Sequence, residues 1–174
     1  MNLREPFIHG TGGRRLPTTL GCAPDATAAC KRVASEFQAI GVPASTALIG
    51  TGSGSDSLAV EVGTWRDLSG ELAATLVEHG PGGSGIYARF AGPGGSSLQL
   101  LNPEGQVVRT LGAGAGLIAA TGQSATGTVW LITGTDVAGV AAAVAALTPA
   151  RLRDHFTLAV QGSTGLPIPL DAGS

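Results

Sequence analysis

The chain has 174 residues, 43% apolar and only 13% charged, with a formal net charge of −2. That balance excludes nucleic acid as a partner, which demands a clustered basic surface, and no run of about 18 apolar residues is present to span a membrane. One Lys, one Tyr, three His and two Cys leave few side chains from which a catalytic or metal centre can be assembled.

In chain order, MNLREPFIHGTGG lacks the apolar h-region of a signal peptide and reads as a flexible lead-in over residues 1–14. Residues 15–170 then read as a single α/β domain, or as two intimately packed lobes dividing near 41–57 or 80–97. Leu16 to Cys22 has strand character. From Asp25 to Ile40 the residues Ala26, Ala29, Cys30, Val33, Phe37 and Ile40 recur at helical spacing. Gly41 and Pro43 end that helix. The segment GTGSGSDS (50–57) reads as a loop, and SLAVEVG (57–63) alternates as a half-exposed strand. Trp65, Leu68, Leu72 and Leu76 mark a second helix, which Gly80-Pro81 terminates.

The middle of the chain looks antiparallel. GIYARF (85–90) leads to Leu98–Leu101, then to Asn102-Pro-Glu-Gly105 and to Gln106–Leu111. Proline at the second turn position and glycine at the fourth make this a hairpin connection. GAGAGLIAATG (112–122) reads as a short helix or glycine-rich bend. TVWLIT (128–133) is a continuous apolar run, the pattern of a strand covered on both faces. Thr135-Asp136 supplies an N-cap for an alanine-rich helix lined by Val137, Val140, Val144 and Leu147, and Thr148-Pro149 restarts a helix. There Leu152 and Phe156 are expected to pack inward, with Arg151 and Arg153 in water. TLAVQG (157–162) is a last strand before the proline-limited tail LPIPL. The fold class expected is α/β (α+β): a mixed sheet with a central antiparallel hairpin and helices packed on it.

Cys22 closes the first strand and Cys30 lies early in the following helix. A helix packed back on its own strand brings such a pair within disulfide range, about 5.5 Å between Cα atoms; two small buried thiols are the alternative. A disulfide implies an oxidising compartment. The spacing matches no zinc pattern, and no metal or cofactor site is expected.

Few constellations carry chemistry. Gly112, Gly114 and Gly116 follow a strand, as in a dinucleotide loop, but the third glycine falls one residue early for G-x-G-x-x-G. HGTGGRR (9–15) places Gly12 and Gly13 beside Arg14 and Arg15, a possible anion nest. It is also similar to an oxyanion-hole segment, but no serine has the flanks of G-x-S-x-G; Ser84 and Ser96 come closest. His9, His79 and His155 share no metal-ligand spacing. A carboxylate pair such as Glu61 with Glu78 has nothing to favour it over solvated charge. Lys31 lacks the glycine of a P-loop. Trp65 and Trp130 read as core. No catalytic residue is assigned.

EPFIHGTGGRRLPTTLGC, the Cys22/Cys30 pair, VGTWRDL, LQLLNPEGQVVRTLGAGAGLIAAT and VWLITGTDVAGVAAAVAAL together resemble the C-terminal region of uncharacterised actinobacterial secreted or lipid-anchored proteins. The resemblance covers nearly the whole chain. It implies export and an upstream β-grasp-like domain similar to the C-terminal domain of transcobalamins, and it transfers no functional residue. The expected function is therefore a non-enzymatic, extracytoplasmic accessory or ligand-binding module, monomeric, with a small-molecule ligand. The alternatives are a hydrolase-like enzyme with an unrecognised site and a dinucleotide-binding domain using the 112–116 loop.

Overall fold

The computed structural model describes residues 17–50, 58–121, 129–153 and 155–170. Strand β1 (Thr18–Cys22) leads through a 3-10 turn at Pro24–Ala26 into helix α1 (Thr27–Ala39) and out to β2 (Ala44–Leu48). β3 (Leu58–Thr64) is followed by three short helices: α2 (Trp65–Leu68), α3 (Leu72–Glu78) and α4 (Pro81–Ser84). Next come β4 (Ala88–Ala91), β5 (Ser97–Leu101), β6 (Val107–Leu111), β7 (Ala115–Thr121) and β8 (Val129–Gly134). Helices α5 (Val137–Ala145) and α6 (Pro149–Leu152) precede the hairpin of β9 (Thr157–Gln161) and β10 (Thr164–Pro167).

Among the described residues the strands form a seven-stranded sheet, in the order β10-β9-β7-β8-β3-β1-β2, and a three-stranded sheet, β4-β5-β6. The large sheet is parallel across β8, β3, β1 and β2 and antiparallel from β8 outward through β7, β9 and β10. The fold class is thus mixed α/β. The hairpin turned by Asn102–Gly105 lies in the smaller sheet, where all pairings are antiparallel. Asn102 locks that turn: its side-chain oxygen accepts from the Gln106 amide at 2.8 Å.

Strand alternation sorts the core into two layers, because successive side chains point to opposite faces of a sheet. On one face Leu20, Val60, Trp130, Ile132 and Val160 meet Val33 and Phe37 of α1 and Val140 and Val144 of α5. On the other, Leu117, Leu131 and Ala159 meet Trp65, Leu68 and Val77 of the short helices and Leu98 and Leu100 of the small sheet. All six residues of β8 are buried, as the apolar run 128–133 implies for a strand covered on both sides.

Helices α1 and α5 lie side by side on the first face, although their crossovers run in opposite directions. α1 carries the chain from β1 to β2, while α5 and α6 carry it from β8 past β7 to the parallel strand β9. A right-handed crossover changes face when its direction reverses. Sharing one face therefore makes one of the two left-handed, an arrangement found in about one parallel connection in fifty.

Several expectations are corrected. GAGAGLIAAT is no bend or helix: residues 115–121 form a central strand, with only Gly112–Gly114 left to turn. The helix expected through Leu76 is broken at Ser69-Gly70 into α2 and α3. β2 and β10 are strands in addition to those expected. Phe156 is 68% exposed, since it sits in the loop entering β9 instead of on α6.

Candidate functional site

The parallel strands β1, β3 and β8 end side by side; the segments that follow β1 and β8 wall one cavity, and Thr64, the last residue of β3, reaches its end. After β1, the Ala23 amide donates to Val62 O at 2.9 Å, steering the chain into the turn that opens α1. Thr64 ends β3; its hydroxyl accepts from the Asp67 amide to start α2 and donates to Asp67 Oδ2 at 2.6 Å. After β8, Asp136 caps α5, Oδ1 accepting from the Gly139 amide at 2.8 Å. The cavity between α1 and α5 holds about 200 Å³. Ala26, Ala28 and Ala29 line one side, and Val137, Val140, Ala141 and Val144 the other. Val140 and Val144 are buried and form the floor, while Val137 is a lip open to solvent. Thr64 closes one end, and the exposed Asp25 and Arg32 stand at the mouth. Open α/β sheets bind ligands outside the carboxyl ends of their strands, where neighbouring connections leave in opposite directions. Here β1 and β8 are separated by β3 and α1 and α5 share one face, so the cavity lies between the two helices beside the carboxyl ends of β1, β3 and β8.

Close packing of α5 shapes this site. A Cβ on Gly139 would collide with the Ala115 carbonyl, and one on Gly116 with the Gly139 carbonyl. The helix therefore rests backbone to backbone on β7, which places its valines deep beside α1.

The disulfide is formed: Cys22 and Cys30 lie 2.05 Å apart at sulfur and 6.1 Å at Cα, both buried. It closes the segment that carries Asp25, Ala26, Ala28 and Ala29. Gly114 donates its amide to Asp136 Oδ2 at 2.9 Å, and Gly112 opens the turn before it. Gly116 lies inside β7. This glycine turn precedes a strand, so it lacks the helix N-terminus on which a dinucleotide loop depends. Gly12, Gly13, Arg14, Arg15 and His9 lie outside the described residues, as do positions 51–57.

Ser84 is spent on local structure: its hydroxyl donates to Gly80 O and accepts from the Ile86 amide. His79 ends α3 and its side chain is exposed. No group of three or more potential metal ligands occurs among the described residues. Trp65 and Trp130 are core residues, and Trp65 stacks on Phe90 with ring centroids 4.3 Å apart.

One carboxyl departs from the solvated pattern. Glu61 projects from central strand β3 between Gly21 and Leu131, and its Oε2 is buried without a hydrogen-bond partner. Burial, and then the negative charge of Glu71, raise its pKa to about 7. Its partner is thus Glu71, at the start of α3, and not the exposed Glu78.

Sequence reasoning missed the cavity because its walls are Ala and Val at helical spacing, which is also the signature of core. The chain matches no protein-family model, no curated protein and no solved structure.

Proposed function

We propose that the chain is a non-enzymatic, extracytoplasmic ligand-binding module whose ligand is a small, mainly aliphatic molecule seated between α1 and α5. The observation that carries this reading is the 200 Å³ apolar cavity at the carboxyl ends of β1, β3 and β8. An apolar cavity of about 150 Å³ accommodates benzene, so the ligand is of that order or somewhat larger. Its lining has methyl groups and no aromatic ring, a surface poorly suited to stacking a nucleobase. The disulfide supports an oxidising compartment. The family resemblance supports the same location, with an upstream β-grasp-like partner domain and the module itself monomeric.

An NMR titration of labelled protein with cyclohexanol, hexanoate, hexylamine, NAD and ATP tests the reading. Amides of Ala29, Ala141 and Val144 are expected to shift with the aliphatic compounds, and Ala29→Trp, which fills the cavity, is expected to abolish those shifts. Binding of NAD or ATP alone, or silence at the cavity across the panel, would overturn it.

A second reading, an acid-base enzyme, is favoured by one feature, the half-buried Glu61 beside Glu71. Glycosidase and esterase screens of wild type against Glu61→Gln decide it. Turnover that disappears in the variant replaces the binding-module proposal.

A further inference from the structure

The two walls of the cavity are anchored by different means. The α5 wall is held by its own fold: Asp136 caps the helix through Gly139 and also accepts from Gly114, and the helix backbone rests on β7. The α1 wall is held by packing instead: Ala23 and Ala26 are buried, Ala23 rests against Gly63 of β3, and the Thr27 hydroxyl donates to Pro24 O. Neither the 3-10 turn at Pro24–Ala26 nor α1 has a side-chain hydrogen bond at its N-cap. Among the described residues, a single backbone hydrogen bond between Cys22 and Cys30, Ala23 N–H to Val62 O, reaches the sheet. Uncapped first turns fray readily, because their amides lack partners. Cys30 sits in that first turn, and its bond to Cys22 pins the turn to the end of β1. Four of the residues lining the cavity lie between the two cysteines.

We infer that the Cys22–Cys30 disulfide gates the cavity: oxidised, it holds the α1 wall in place, and reduction releases that wall while the rest of the fold persists. The inference rests on the cavity being the binding site. The co-reactant is a dithiol. One of its thiolates attacks a cystine sulfur, breaking the S–S bond and forming a mixed disulfide; the second thiolate attacks its own sulfur in that bond and expels the protein thiolate. Two electrons pass to the cysteine pair, the dithiol leaves as a cyclic disulfide, and its two protons end on Cys22 and Cys30. Because coupling between sites is reciprocal, an occupied cavity makes the disulfide harder to reduce by the same factor that reduction weakens binding.

The experiment is amide hydrogen exchange on the full chain, oxidised and dithiothreitol-reduced, with cyclohexanol as the probe of the cavity. On reduction, exchange at Lys31, Arg32 and Val33, whose amides bond back to the first turn, is expected to quicken about tenfold to a hundredfold. Ile132 in β8 and Ala143 in α5 are expected to keep their rates. Cyclohexanol affinity is expected to fall by at least about tenfold, and bound cyclohexanol to shift the dithiothreitol equilibrium toward the disulfide. The double variant Cys22→Ser with Cys30→Ser should reproduce the reduced protein. Uniformly faster exchange, or a double variant that does not fold, would show the disulfide to be a staple of the whole fold and overturn the inference. Unchanged rates at Lys31–Val33 would overturn it equally. If the oxidised protein ignores cyclohexanol, the ligand reading fails, while the exchange data still decide whether the wall is held by the bond.

Discussion

Asp136 binds two amides at once: its Oδ1 accepts from Gly139, in the helix it caps, and its Oδ2 accepts from Gly114, twenty-two residues earlier in the chain. One carboxylate thereby fastens the start of β7 to the start of α5. Asp136→Ala removes a cap and a cross-link together and is expected to cost about 1–2 kcal/mol. Asp136→Asn, which keeps the acceptor oxygen, should recover part of the loss. Urea unfolding of the three proteins measures it, and an unchanged midpoint for the alanine variant would show both bonds to be replaceable by water.

Gly139 and Gly70 make a paired test of backbone contact. A Cβ at Gly139 meets the Ala115 carbonyl, whereas one at Gly70 meets nothing within 4 Å. Gly139→Ala is expected to lower stability by about 3 kcal/mol, since neither backbone can retreat without parting the helix from the sheet. Gly70→Ala should lie within about 0.5 kcal/mol of wild type. Thermal unfolding of both decides; equal effects at the two sites would mean that α5 has room to shift.

Glu61 predicts a pH dependence of definite sign. Its pKa is about 7 in the folded chain against an ordinary 4.5, so between those values the native state binds more protons than the unfolded one. Its contribution to stability is fully present below about pH 4.5, is lost as pH rises, and levels off above 7. Solvent reaches this half-buried group, and the loss is accordingly discounted to about 1–2 kcal/mol. Glu61→Gln should be flatter across that window and more stable at pH 8. Denaturation series at pH 4.5, 6 and 8 check this; parallel profiles for the two proteins would locate the titration elsewhere.

Local pattern made much of the fold legible. TVWLIT announced a strand covered on both faces, Thr135-Asp136 and Thr148 announced helix starts, and Asn102–Gly105 announced a hairpin. The Cys22–Cys30 disulfide followed from a strand and helix packing back to back. What failed was tertiary in origin. Glycine and alanine disfavour a strand in isolation, yet Gly116 lies in a central strand because α5 needs a bare backbone to rest on. β2 is an edge strand with little buried surface, so ASTAL shows no firm alternation. The cavity was illegible for a related reason: Val140 and Ala29 look the same whether they meet another side chain or an open space. The Glu61–Glu71 pairing depends on where the turn into α3 places Glu71 relative to β3, which no spacing in the chain reveals.

The order of strands in the large sheet bears on how the chain reaches this fold. β3 has β1 on one side, but its other neighbour is β8, and Ala59 pairs with Val129, 70 residues later. Everything from α2 to β7 must be made before that edge of β3 is covered. β7 itself waits for both β8 and β9. Pairings so distant make loop closure costly and folding slow compared with helical domains of this size. A chain emerging from its N-terminus exposes β1, β2 and β3 as an incomplete sheet until Val129–Gly134 has been synthesised, about three-quarters of the way along, and only then does the central strand find its partner. Anything that must thread the polypeptide in an extended state therefore has a wide interval in which to do so, and that same interval is when the unpaired edge of β3 is open to aggregation.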